Sequence, residues 1–353
     1  MVRRESMTSK QRALRNYNFQ SLDRFSIDWC ACSEVYQRLQ DYYGVKTDLE
    51  LMEVLHVDFR WPRPQWIGPE LKDAQNRPTD YFGIPRAGVG DFGYALEHPL
   101  ANISSVAEVE AYPWPTVAMW DYEQYAKECK RFEEYAVYGG VWGWFFEAAA
   151  ELVGMERWFY LMYDRPALAH AILGKIVDYM VSVSEAMFQN AGNYINICFT
   201  GDDYGFQDRP MMSQRMFNKF VRPYLQRIYD VGKKYGKLIM HHSCGSVAAF
   251  IPTFIEMGLN ILEPIQVHAA SMNPKELAKK YGGKLCFHGS IDTQQTLPFG
   301  TPEDLRREVR ERVETFKPCG GFTIAPSQHL LPEIPTENIV AMYEAAWEYS
   351  WLD

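Results

Sequence analysis

Two runs decide the fold of this chain: YINICFTGDDYGFQ at residues 194–207 and KLIMHHSCGS at residues 237–246. Each begins with apolar residues, many of them β-branched or aromatic, and ends in polar residues and glycine. This pattern is typical of a buried parallel strand followed by a loop. The same form recurs in YAVYGGVW (135–142), NILEPIQ (260–266), KLCFHGS (284–290) and GFTIAP (321–326).

Amphipathic segments separate these runs. They predict helices over residues 166–192 and 213–236, a helix from Thr301, where a capping residue precedes a proline, and a last helix after Pro335. Strands that alternate with helices of this length are typical of parallel sheets with crossover connections.

The alternation predicts an α/β protein that folds as a single (β/α)8 TIM barrel over residues 1–353. Regular βα units are expected over residues 131–353. Residues 1–130, which are rich in proline, glycine and aromatic residues, are expected to form an irregular N-terminal cap together with the first barrel elements. A doubly wound open sheet is the structural alternative, but no G-x-G-x-x-G motif or P-loop follows any strand.

Composition limits the classes of function. The chain has 36 basic and 45 acidic residues and a net charge of -9 without a basic stripe, so nucleic-acid and membrane partners are not expected. Seven scattered cysteines and the absence of an apolar signal segment favour a cytoplasmic protein with reduced thiols. Aromatic residues reach 15%, which indicates a pocket for a flat apolar ligand.

Polar side chains concentrate where the predicted strands end, and in a parallel barrel these ends share one mouth. Catalytic or substrate-binding roles are therefore expected here. The candidates for proton transfer or for stabilising a cationic intermediate are Asp202, Asp203 and His241. The candidates for substrate binding are Tyr204, Gln207, Gln266, His288 and Asp292.

The sharpest motif is His242-x-Cys244, because residues i and i+2 at a strand end point to the same side and can share one soft metal ion such as zinc. A catalytic zinc needs about three protein ligands. The first candidate for the third ligand is His329, because it lies just past a predicted strand. The alternatives are Cys319, Glu263 and Asp202. The competing interpretation is a buried thiol beside histidines that only form hydrogen bonds.

These residues resemble the uroporphyrinogen decarboxylase superfamily, in its methyltransferase-like, corrinoid-linked branch. The motifs that carry the resemblance are DDYGFQ (202–207), HSCGS (242–246), GSIDTQ (289–294), LPFGTP (297–302) and APS (325–327). The resemblance implies a (β/α)8 barrel. It also implies zinc at His242 and Cys244, but Gln328 stands about where the branch has its third ligand, a second cysteine. Either His329 replaces that ligand by a small shift of the loop, or the third ligand is lost.

The resemblance and the aromatic composition together lead to the hypothesis of a zinc-assisted methyltransferase of the O-demethylase type, with a thiol or amine acceptor as a variant of the same class. It would move a methyl group between a small, methoxylated aromatic substrate and the cobalt of a separate corrinoid protein. The expected clamp for the ring comes from the aromatic residues Trp61, Trp66, Tyr81, Phe82, Trp114, Trp142 and Trp144. A homodimer is a further expectation.

Two alternatives remain open. One is a cofactor-free decarboxylase of a small pyrrole or aromatic acid, for which Arg86 and Arg209 are the candidate cations. The arginine-rich N-terminal segment of true uroporphyrinogen decarboxylases is missing, which disfavours the haem-pathway reaction. The other alternative is a non-catalytic barrel that binds a tetrapyrrole or corrinoid.

Overall fold

Eight parallel strands form the central sheet of the protein, seen in a computed structural model that describes residues 5–88 and 93–352. The strands are β1 (Ser26–Ile27), β2 (Phe59–Arg60), β3 (Ala136–Gly139), β4 (Ile197–Gly201), β5 (Leu238–His242), β6 (Ile261–Glu263), β7 (Cys286–His288) and β8 (Phe322–Ile324). They pair in the order β1-β8-β7-β6-β5-β4-β3-β2. The Asp58 N–H donates to the Ile27 carbonyl at 2.9 Å and joins the two edge strands. The predicted (β/α)8 barrel is confirmed.

The last six strands lie within the six runs that the sequence predicts. The first two strands have only two residues each. Such short strands leave no alternating pattern to detect, which is why residues 1–130 look irregular in the sequence.

Helices surround the sheet and connect its strands. They are Ser9–Tyr17, Ser33–Tyr43, Asp48–Val54, Val106–Ala111, Tyr122–Arg131, Phe145–Val153, Met155–Asp164, Pro166–Ala191, Gln214–Phe220, Arg222–Lys234, Ile251–Met257, Pro274–Tyr281, Thr296–Phe299, Pro302–Phe316 and Thr336–Tyr349, with a 3-10 turn at Val117–Met119. The helix predicted over residues 213–236 is divided at Val221, because Pro223 in the next turn has no N–H to continue the helical hydrogen bonds.

The N-terminal region adds two antiparallel ribbons to the barrel. Gln65–Trp66 pairs with Trp120–Asp121, and Arg86–Ala87 pairs with Tyr94–Ala95. Both ribbons precede β3 in the chain, so the region predicted as a cap contains this extra structure in addition to β1 and β2.

The helix Pro166–Ala191 is long and apolar enough to cross a membrane by length and composition, and no other helix in the described ranges passes that test. More than half of its apolar window is buried inside the protein, where it packs against the helices Tyr122–Arg131 and Arg222–Lys234. Packing in the helical layer accounts for its composition.

The helix Ser9–Tyr17 closes the N-terminal end of the barrel. Its Ala13 and Tyr17 are buried with Phe59, Ala136 and Ile197 of the barrel interior. The opposite, C-terminal end holds the polar loops and is the open mouth.

Candidate active site

The register of three neighbouring strands assembles the centre of the mouth. Gly201, at the end of β4, lies opposite His242, and Glu263, at the end of β6, lies on the other side of His242. The loop that follows β4 therefore begins beside His242. This alignment brings together side chains that are about 20 or more residues apart in the chain.

Asp203, His242 and Cys244 form a group of possible metal ligands, with all three ligand atoms within 4.8 Å of one another. The Nε2 atom of His242 lies 3.4 Å from the Cys244 sulfur and 3.6 Å from Oδ1 of Asp203. The Cys244 N–H donates to the same Asp203 oxygen at 2.8 Å. A nitrogen, a sulfur and a carboxylate oxygen facing one point match the donor types that zinc takes in proteins.

Glu263 orients the imidazole of His242. Its Oε2 lies 2.5 Å from Nδ1 of His242, which leaves Nε2 directed at Cys244 and Asp203. A carboxylate behind a histidine is the usual partner of a metal-binding imidazole. Desolvation acts to lower the pKa of His242, but the charges of Glu263 and Cys244 outweigh it and raise that pKa well above its ordinary value.

The third donor in the structure is Asp203. In the described part of the chain, none of the four predicted third ligands belongs to the group. Gln328 lies between His329 and Cys244, because its amide nitrogen is 3.2 Å from the sulfur and its oxygen accepts from the His329 N–H at 2.9 Å. The Cys319 sulfur instead contacts the Phe316 carbonyl.

Asp202 lies in the protein interior rather than in the mouth. Its carboxylate accepts the N–H groups of Phe146 and Glu147, at 2.6 and 3.1 Å, and so caps the helix Phe145–Val153. Desolvation, reinforced by the charge of Glu147, raises its pKa well above the ordinary range. Of the two adjacent acids, Asp202 supports a helix, and Asp203 belongs with His242 and Cys244 to the group of possible metal ligands, the donor group.

His241 points away from the mouth, because adjacent residues on a strand face opposite sides. It is fully buried, stacks on Tyr204 with ring centroids 5.6 Å apart, and packs against Phe254. Desolvation, together with the charge of His242, lowers its pKa to about 3. The structure thus does not bring His241 or Tyr204 to the site.

Three other predicted substrate-binding residues lie in the loops around the mouth. Gln266 accepts the Gly245 N–H at 2.6 Å and so holds the loop that carries Cys244. Asp292 accepts the N–H groups of Gln294 and Thr296 and therefore stabilises its own loop. Gln207 is exposed.

His288 lies in the barrel interior, 3% exposed, as part of a hydrogen-bonded chain. Its Nδ1 lies 2.7 Å from the Tyr17 hydroxyl, and its Nε2 lies 3.1 Å from Asp28. The Tyr138 hydroxyl donates to the same Asp28 oxygen at 2.8 Å. Asp28 follows β1, a strand too short for the sequence pattern to predict, so Asp28 is not among the predicted site residues.

Aromatic rings form one wall beside the donor group. The Trp142 ring lies 5.3 Å from the His242 ring, and Trp61 and Phe199 pack against Trp142. A Cβ atom at Gly201 would lie 2.4 Å from the Trp142 ring, so only glycine allows this approach. Two of the seven predicted aromatic residues thus form this wall: Trp142 lies beside His242, and Trp61 packs on Trp142.

The other five predicted aromatic residues pack in a separate cluster. Trp66, Tyr81, Phe82, Trp114 and Trp144 are joined there by the rings of Trp120 and Tyr179. Their first role is to hold the N-terminal ribbons against the helices.

Trp144 also borders a cavity of about 490 Å³ with Arg86, Glu147 and Glu151. Arg86 forms ion pairs with Glu151 and Asp80. The other candidate cation, Arg209, is exposed and pairs with Asp208. Neither arginine is without an acidic partner.

Glu147 is a mouth residue that is not among the predicted site residues. It lies in the first turn of the helix after β3 and lines the cavity with Arg86 and Glu151. Desolvation by the surrounding protein, followed by the charges of Asp203 and Glu151, raises its pKa to about 7. An acid in the first helical turn was the available signal, but such acids are common at helix starts.

Comparisons with known proteins identify the family of the chain. A family model described as uroporphyrinogen decarboxylase (URO-D) matches residues 124–349, more than half of the chain. The chain belongs to the uroporphyrinogen decarboxylase family. The family prediction is confirmed, and the match includes β3 to β8 of this URO-D barrel with every member of the donor group.

Curated relatives of this URO-D chain carry two kinds of name. The Methanosarcina mazei methylcobamide:CoM methyltransferase MtbA is 21% identical over 261 residues, which are 72% of this chain and 71% of that protein. The uroporphyrinogen decarboxylase of Pseudoalteromonas translucida is 23% identical over 197 residues, 54% of this chain and 51% of that protein. A solved methyltransferase from Methanosarcina mazei shares the fold, with a TM-score of 0.72 and 18% identity over 98% of this chain and 99% of that one.

Proposed function

We propose that this protein is a corrinoid-dependent methyltransferase. It would move a methyl group between a small methoxylated aromatic compound and the cobalt of a separate corrinoid protein, with zinc at the mouth. The names of the methylcobamide:CoM methyltransferase relatives support the methyl transfer, and the barrel similarity to a solved methyltransferase supports the scaffold.

The observation that carries the proposal is the convergence of Asp203, His242 and Cys244 on one point, with Glu263 behind the imidazole. These three residues would hold the zinc. When bound, zinc supplies Lewis-acid polarisation of an ether or phenol oxygen, which helps a poor leaving group to depart. The protein contributes a fixed set of donors before any ligand binds, because hydrogen bonds already orient Cys244 and His242.

The wall of Trp61 and Trp142 supports an aromatic substrate. Both rings are half-buried, with Trp142 beside His242 and Trp61 packed on Trp142, so they can cover one face of a flat ring and exclude water from it. Glu147 is placed to hold a proton at the mouth, because its pKa of about 7 leaves it partly protonated at neutral pH. A proton from Glu147 would neutralise the departing substrate oxygen.

Decarboxylation of a small acid is the competing function, since other curated relatives are uroporphyrinogen decarboxylases. That reaction would require cations to bind the substrate carboxylate. Arg86 and Arg209 both have acidic partners, so their charges are already compensated. The methyltransferase proposal uses the donor group, whereas the decarboxylase proposal leaves it without a role.

The test combines metal analysis with turnover in matched variants. The wild-type protein should contain about one zinc ion per chain and should demethylate a methoxyphenol with cob(I)alamin as the methyl acceptor. Cys244→Ala should lose both properties. Cys319→Ala removes a thiol remote from the mouth and should keep both. A metal-free protein that decarboxylates an aromatic acid would refute the proposal, and any turnover would exclude a purely binding role.

The location and assembly of the protein stay predictions. A cytoplasmic protein fits the proposed use of a corrinoid protein and a free thiol, and a homodimer is the proposed assembly. Cell fractionation and light scattering of the purified protein would test them.

A further inference from the structure

The side chain of Gln328 contacts the donor group without belonging to it. Its amide nitrogen lies 3.2 Å from the Cys244 sulfur. Its amide oxygen lies 2.9 Å from the backbone nitrogen of His329 and 3.0 Å from Nδ1 of the His329 ring. The amide therefore bridges the loop after β8 and the loop after β5.

The backbone of His329 decides which way this amide is turned. A backbone N–H can only donate, so the atom of Gln328 that faces it must be the oxygen. The NH2 group is then directed at Cys244, and the contact with sulfur is an N–H donor to a sulfur acceptor. The reverse orientation would place two donors against each other at His329.

Cys244 is thus held from three directions. Its sulfur lies near Nε2 of His242 and accepts from Gln328, while its backbone N–H donates to Asp203. Cys244 is half-buried, so water does not compete freely with the Gln328 donor.

We propose that Gln328 is a positioning residue for Cys244: its N–H fixes the sulfur toward His242 and Asp203 and withdraws electron density from it. This inference rests on the proposed function for its consequence at a bound metal. A sulfur that shares its lone pair with an N–H donates less charge to the metal. The metal would then polarise an ether oxygen more strongly, which fits a methyl group carried on oxygen.

The hydrogen bond can be tested without metal. In metal-free protein labelled with 15N-glutamine, the Gln328 side-chain amide is assigned by its loss in Gln328→Glu. Cys244→Ala should shift that amide proton upfield, because its acceptor is removed, and Cys319→Ala should leave it in place. An amide resonance that does not move in Cys244→Ala would overturn the proposal.

The effect on sulfur can be tested with Co²⁺ in place of zinc. Gln328→Leu removes the donor, and Gln328→Glu keeps its shape but replaces the NH2 group with an acceptor. Both variants should move the sulfur-to-cobalt charge-transfer band to lower energy at unchanged Co²⁺ stoichiometry. The exposed control Gln20→Glu should leave the band where it is.

The two experiments separate the two proposals. A band that is identical in wild type and both Gln328 variants would overturn the role of Gln328 while leaving the metal site intact. If wild-type protein binds neither zinc nor Co²⁺, the zinc-assisted function fails, and the amide resonance of the metal-free protein still decides whether Gln328 holds Cys244.

Discussion

The two ends of the barrel each hold a cluster of charged or ligating side chains, and the clusters differ in how their charges are satisfied. At the N-terminal end, Arg12 and Arg24 both bind Asp58, with N–O distances of 2.6 and 2.9 Å. Asp58 also accepts the Ile27 N–H at 2.9 Å. At the mouth, Asp203 is 45% exposed, and its oxygen and the atoms of His242 and Cys244 face a shared point.

This difference between the two clusters indicates that they have different roles. The buried acid at the closed end has protein donors on both oxygens, so it joins the N-terminal helix to β1 and β2. The donors at the mouth face one another and solvent, which leaves them able to bind a ligand. In TIM barrels the end at which the strands begin serves stability and the end at which they finish serves chemistry, and this molecule follows that division.

The largest expected effect on stability comes from a substitution in the ion-pair cluster at the N-terminal end of the barrel. Asp58→Asn should lower the free energy of unfolding by about 3–5 kcal/mol, because two buried guanidinium groups lose their shared countercharge. Denaturant unfolding measures the change. Asp208→Asn, in an exposed ion pair, is the control and should change stability little. If Asp58→Asn lowers the free energy of unfolding no more than the control does, the cluster at the N-terminal end does not have the stabilising role that distinguishes it from the mouth.

A substitution at the mouth should affect metal binding rather than folding. Glu263→Gln should weaken zinc affinity about 10–100-fold, because His242 loses the carboxylate that orients it. Competition with a chelator measures the affinity, and the unfolding midpoint of the metal-free protein should stay close to wild type. The exposed Glu256→Gln is the matched control. Equal zinc affinity in both variants would contradict the orienting role of Glu263.

His241 marks the boundary between the mouth and the packed core. Burial lowers its folded pKa to about 3, so below the unfolded value of about 6.5 the unfolded chain binds a proton that the folded protein does not. Stability is therefore lost as the pH falls from about 6.5 toward 3. His241→Leu should remove about 2 kcal/mol of the loss between pH 7 and about pH 5. If wild type and His241→Leu lose the same free energy of unfolding as the pH falls, His241 is not held in a buried, neutral form.

The smallest effect is expected at the rim. If Glu147 delivers a proton to the substrate oxygen, the methyl-transfer rate should fall severalfold between about pH 6 and 8 as this residue, with its pKa of about 7, ionises. Glu147→Gln should flatten that part of the profile, and Glu156→Gln should not. A descending limb that persists in Glu147→Gln would assign the titration to another group.

Much of the fold follows from local pattern. The strands from β3 to β8 were predicted because each buried run is apolar, bounded by polar residues and separated from the next by a helix. β1 and β2 were not located, because two-residue strands have no period of their own. Asp28, which follows β1, was missed for the same reason.

The candidate site was predicted in part. The pairing of His242 and Cys244 at the end of β5 follows from their spacing, since alternate residues of a strand share a face. The same rule applied to His241 places it on the opposite face, and the structure buries it there against Tyr204. Glu263, one of the alternatives to His329 as the third ligand, lies behind the imidazole.

The sequence alone was enough to predict the parallel barrel, its family and the His242-Cys244 pair. These features depend on strand periodicity and on close spacing, which are visible within a few residues of sequence. It was not enough to choose Asp203 over Asp202 or His329. That choice depends on contacts between loops far apart in sequence: the helix start at Phe146 takes the first acid, and Gln328 separates His329 from the sulfur. The direction of a loop side chain depends on the partners that the folded chain brings to it.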